Sequence, residues 1–67
     1  METVVFNFGP TTLTVWVDSG QATDLAAEYE KGTARYGLHC HVSMSGPEEV
    51  VWLDLSKVLW LLITRPR

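Results

Sequence analysis

His39-Cys40-His41 is where residue type and spacing come nearest to chemistry in this 67-residue chain. On a strand, an H-x-H pair sets two imidazoles on one face, about 7 Å apart at Cα, a span that one metal ion can bridge. Cys40 then falls on the opposite face. It can join neither a metal set with the two histidines nor a thiol–imidazole nucleophile pair. A stable metal centre also needs a third and usually a fourth ligand, and the carboxylates on offer, such as Glu49 and Asp54, are scattered. Ser43, His41 and Asp54 make a triad only on paper, because any chain supplies one residue of each type and so small a body has little room for a cleft. Glu48-Glu49 reads as the rim of a turn. The five glycines stand alone, so there is no phosphate-cradling loop. The chain is therefore read as non-enzymatic, with no catalytic residue, cofactor or metal assigned.

The second group with chemical potential is aromatic. Trp16, Trp52 and Trp60, with Tyr36 and Phe6, could form a stacking platform for the bases of a single-stranded nucleic acid. Such platforms lie in basic grooves, whereas this chain carries a net charge of −3 and its five basic residues form no run. Tryptophan is enriched at the anchoring centres of protein interfaces, which favours protein over nucleic acid as the partner.

The elements that hold these residues follow from alternation and punctuation. Val4–Phe8 and Thr12–Val17 are β-rich runs separated by Gly9-Pro10-Thr11, hence a hairpin. Leu13, Val15 and Val17 share one face of the second strand, and Trp16 falls on the other with Thr12 and Thr14. Asp18 and Gln21 have the spacing of a capping box, Ala22, Leu25, Ala26 and Tyr29 recur on one helical face, and Gly32 suits the position after the last turn. A long strand is expected from Arg35 to Met44, with Tyr36, Leu38, Cys40, Val42 and Met44 on the core side and Arg35, His39 and His41 on the polar side. Ser45-Gly46-Pro47-Glu48 is the turn after it.

The densest apolar stretch, Val50–Ile63, is expected to form two strands around a polar corner at Ser56-Lys57. Val50 and Trp52 alternate with Val51, Leu53 and Leu55. Beyond the corner Val58, Trp60 and Leu62 alternate with Leu59, Leu61 and Ile63. Both faces of both strands are thus apolar, the signature of strands buried on both sides. Asp54, beside the corner, is expected to cap it through the backbone of Ser56 or Lys57, or to pair with Lys57 or Arg35 across an interface. The segment Trp52–Val58 resembles the strand, short turn and strand joint of small barrels and Sm-like folds. The helix, placed after the second strand, departs from the Sm-like order, so no family is assigned.

These elements define one α+β domain over residues 1–67, of order ββαβββ, with a mostly antiparallel, twisted sheet and one helix packed on it; partial closure into a small barrel is the alternative. A domain of this size buries only about 60% of the surface its unfolded chain exposes. One cysteine allows no disulfide within the chain, yet 46% of its residues are hydrophobic. One thin helix can cover only one face of the sheet. A homo-oligomer, most simply a dimer, is therefore expected. The expected function is that of a small accessory, adaptor or inhibitor module binding a partner protein through apolar sheet surface. Trp16, Trp52, Trp60, Leu62, Asp54 and Arg35 are the candidate interface residues. The alternatives are a small-ligand or nucleotide binder with pockets between subunits lined by His39, His41, Tyr36 and tryptophan, and, less favoured, a single-stranded nucleic-acid binder. No signal peptide and no membrane span are expected, and the cytoplasm is the expected compartment. Arg65-Pro66-Arg67 is expected to be a solvated tail.

Overall fold

A computed structural model describes residues 1–65; the tail at Pro66 and Arg67 lies outside them. The order is β1 (Glu2–Asn7), β2 (Thr12–Val17), α1 (Ser19–Lys31), β3 (Tyr36–Cys40), β4 (Glu49–Leu53), a 3-10 turn (Leu55–Lys57) and β5 (Trp60–Thr64). This is the expected ββαβββ domain of antiparallel sheet with one helix, and the sheet does not close into a barrel.

The first two strands form the hairpin. Gly9 takes φ +102° in the loop, a conformation side chains rarely adopt, while the Phe8 amide donates to the Thr11 carbonyl. β5 does not pair with β4, the strand before it in the chain. It returns to the far side of β1, giving a sheet of order β2-β1-β5, and β3 and β4 form a second, two-stranded sheet. One bridge ties the two together: Trp16 and His41 exchange both backbone hydrogen bonds, at 2.9 and 2.8 Å.

Helix α1 covers the inner faces of both sheets. Val4, Phe6, Val15, Val17, Leu38, Cys40, Leu53, Leu55 and Val58 pack with Ala22 and Leu25 of the helix into one core. Gly32 ends the helix in the left-handed conformation (φ 68°), and its amide reaches the carbonyl of Tyr29. At the other end the capping box does not form. Asp18 occupies the cap position without a side-chain hydrogen bond, and the Gln21 side chain donates instead to the Tyr36 hydroxyl. A buried phenol gains more from that donor than a solvent-exposed cap would.

The long strand expected over Arg35–Met44 stops at Cys40, with His41 as the bridge residue. The chain then turns, the Gly46 amide donating to the Ser43 carbonyl, so Val42 and Met44 leave the core face and stand in solvent. The corner between β4 and β5 is a 3-10 turn capped by Asp54, whose Oδ1 accepts from the Ser56 amide at 3.0 Å, as expected. Alternation does not run through it. Val58 is buried while Trp60 and Leu62 face outward, because β5 begins only at Trp60, after the Leu59 amide has bonded the Asn7 carbonyl.

Candidate functional site

The outer faces of both sheets, away from α1, carry the candidate interface residues, and they fall into two patches. Across β1 and β5, Val5 stands opposite Leu62 and Asn7 opposite Trp60; across β1 and β2, Thr3 stands opposite Trp16. Trp60 and Leu62 are about half exposed, at 49% and 54%, and Trp16 is half-buried beside the bridge to His41. The burial of β5 on both faces that alternation implied is thus not supplied by the chain itself. Its inner residues Leu61 and Ile63 pack against the core, and its outer ones face solvent.

The second patch lies on the outside of β3 and β4. Trp52, 63% exposed, pairs with Gly37 and lays its ring on that glycine; a Cβ at Gly37 would stand 3.0 Å from the ring. Arg35 covers the ring, its guanidinium carbon 5.1 Å from the ring centroid. Val50, opposite His39, is also exposed. β4 therefore shares with β5 an outer face that is apolar and uncovered. Arg35 and Asp54, both candidate rim residues, are engaged within the chain, one over Trp52 and the other capping the 3-10 turn.

The three candidate ligand-facing residues do not converge. His39 is exposed on the outer face, its Nδ1 3.7 Å from Glu48 Oε1. His41 is half-buried, with Nδ1 3.0 Å from the Gly46 carbonyl oxygen, so its ring holds the turn rather than facing a ligand. Tyr36 points inward, to the opposite side of the sheet from His39. Cys40 is buried, and burial, with Glu49 and Glu48 nearby, pushes its thiol pKa up, which makes it a poor nucleophile. No group of three or more His, Cys, Asp or Glu side chains placed to hold a metal ion occurs among the described residues.

Two polar arrangements were not anticipated. The Tyr36 hydroxyl accepts from Gln21 at 2.7 Å and donates to Asp24 Oδ2 at 2.5 Å, which fastens the helix to β3. Burial, and then the Asp24 carboxylate it donates to, hold its pKa above the ordinary phenol value. Because the folded state binds this proton more tightly, the stabilisation is complete below about pH 10 and is lost as pH rises beyond it. Tyr36→Phe is expected to cost about 1–2 kcal/mol at neutral pH. In urea titrations, the gap between wild type and variant should narrow above that pH; a gap that stays constant would refute the assignment.

The other arrangement is Glu2, buried on the core face of β1, with Oε1 accepting from Arg65 Nε at 3.1 Å. These two residues, with Met1, Ser19 and Thr23, line an open cleft of about 420 Å³ that contains none of the candidate ligand residues. The alternation of Val4, Phe6 and Phe8, carried back two residues, is the sequence signal that places Glu2 inside.

Among the described residues no helix is long and apolar enough to cross a membrane. Comparison with known proteins gives no match, neither to a protein-family model nor to a curated protein nor to a solved structure.

Proposed function

We propose that this chain is a non-enzymatic interaction module, an accessory, adaptor or inhibitor protein that acts by laying the outer face of its sheets against a partner protein. The observation that carries this is the exposure of Trp52, Trp60 and Leu62 on strand faces that no other element covers, each at about half or more. Isolated apolar side chains on a surface are ordinary, but two aromatic patches on a body of this size form interface anchors. Trp52 is already held on Gly37 and under Arg35, so little side-chain freedom is lost when a partner closes over it. The acidic side chain at the rim, Glu48 beside His39, favours a partner with neutral or basic surroundings. The cytoplasm suits such a module, since its one thiol, Cys40, is free and buried.

The test is a quantitative pull-down with the purified chain as bait, comparing wild type with Trp52→Glu and Trp60→Glu. Both positions are exposed, so both variants should keep the wild-type circular dichroism. A defined set of proteins should be lost from at least one variant, with affinity for a purified member falling roughly a hundredfold for an anchor. Retention of the same set by both variants would exclude the outer faces as the docking surface.

A further inference from the structure

Backbone parity shows which edges of the fold are open. Trp16 exchanges its hydrogen bonds with His41, so its amide and carbonyl point away from β1. Thr3, its opposite number on β1, therefore directs its own backbone groups toward β5. Carried across the register of β1 and β5, this makes Trp60, Leu62 and Thr64 the β5 residues bonded to β1, and turns the amides and carbonyls of Leu61 and Ile63 to the free side. β5 ends its sheet, and no strand pairs with that side among the described residues. The devices that usually blunt an edge are missing from it: residues 58–64 contain no charge, no proline and no glycine.

The geometry points to a second copy of this chain as the occupant, the two β5 strands pairing antiparallel about a two-fold axis at Leu62 into a sheet of order β2-β1-β5-β5-β1-β2. This pairing uses the strand edge and goes beyond the outer-face docking proposed above. About that axis the donors and acceptors match. Leu61 of each copy meets Ile63 of the other as a hydrogen-bonded pair, giving four backbone bonds, while the two Leu62 side chains lie opposite each other and Trp60 lies opposite Thr64. Arg65 falls opposite Leu59, and no two like charges meet.

β2 and β3 also end their sheets but face each other at the Trp16–His41 bridge; β4, an edge strand like β5, behaves differently. The same construction leaves Val50 and Trp52 pointing outward, but pairing about its centre, Val51, sets Glu48 against Asp54 of the other copy on both sides of the axis. Joining β5 of one copy to β4 of the next is heterologous and leaves a free β5 and a free β4 at its two ends unless the rotation closes a ring, whereas pairing about a two-fold is complete at two copies. Charge and closure together favour β5 over β4. Leu59, Trp60 and Leu62 are 67%, 49% and 54% exposed and leave on the order of 300 Å² of apolar surface open per copy. With the strand backbones, the contact covers roughly 1,000 Å² in total, near the lower end for specific association, so the dimer should dissociate in the micromolar range.

Sedimentation velocity from micromolar to millimolar concentration should show a monomer–dimer equilibrium, weakened about tenfold or more by Leu62→Lys. A synthetic chain N-methylated at Leu61 leaves every side chain and the β1 ladder untouched and should be monomeric with wild-type circular dichroism. Under mild oxidation Leu62→Cys should form a disulfide-linked dimer, and Val50→Cys, a control on β4 that is also exposed, should not. A wild-type chain monomeric throughout that range, or equal cross-linking at both positions, would overturn the proposal. The two proposals fail separately. A monomer that still loses its partners on Trp60→Glu leaves the docking surface standing, whereas a dimer whose pull-down is unchanged by Trp52→Glu and Trp60→Glu removes the partner and keeps the pairing.

Discussion

Phe6→Ala is expected to remove about 3–5 kcal/mol from the folding free energy. Phe6 is fully buried on the central strand β1, flanked by Leu13 of β2 on one side and Leu61 of β5 on the other. Its neighbours are anchored by two ladders, so they cannot collapse into the space left behind, and the cavity term adds to the lost transfer energy. At roughly 0.05–0.15 kcal/mol per residue, a domain of this length has about 3–10 kcal/mol in all. The variant should therefore be largely unfolded, or nearly so, in the absence of denaturant. Urea titration followed by far-ultraviolet circular dichroism checks it; a midpoint shift equivalent to less than about 1 kcal/mol would mean that the site relaxes freely.

Leu25→Ala is the second large effect, expected at about 2–5 kcal/mol. Leu25 is the one leucine in α1 and is fully buried; the other buried helix residue is Ala22. A thirteen-residue helix is marginal in isolation, so its order depends on docking. Besides Ala22 and the Tyr29 ring, which packs against the core, the remaining ties are polar: the Tyr36, Gln21 and Asp24 contacts, and the Tyr29 hydroxyl, 3.3 and 3.2 Å from the carbonyl oxygens of Val58 and Leu59. Loss of Leu25 should lower helical signal and thermal midpoint together. Amide exchange along α1 should then quicken more than along β1; uniform quickening would instead indicate global destabilisation.

These positions also mark how far the sequence could be read. The helical face of α1, its stop at Gly32, the β1–β2 hairpin, the inward set Tyr36, Leu38 and Cys40, and the Asp54 cap all depend on near neighbours, and periodicity exposes them. Where β5 goes is a different kind of fact. Its alternation looks the same whether it pairs with β4 or with β1, and only the packed structure places it on β1. Extrapolation failed where a strand ended early. Val42 and Met44 continue the pattern of β3 in type, but the bridge at His41 and the turn behind it take them out of the sheet. The outer patches were legible as an excess of apolar residues. Their division into a Trp52 surface and a Trp60 surface follows from a strand order that alternation cannot convey.

The pairing of β1 with β5 sets the order in which the fold can be completed. Thr3 lies opposite Thr64, sixty-one positions later in the chain, whereas the β1–β2 hairpin, α1 and the β3–β4 hairpin each form from segments near one another in sequence. During synthesis those three units can begin to organise as they emerge. β1, the centre of its sheet, keeps one side unsatisfied until the last strand arrives. Between the emergence of β1 and that of β5 a nascent chain therefore carries a sticky, half-finished strand, and the step that relieves it is also the slowest loop to close.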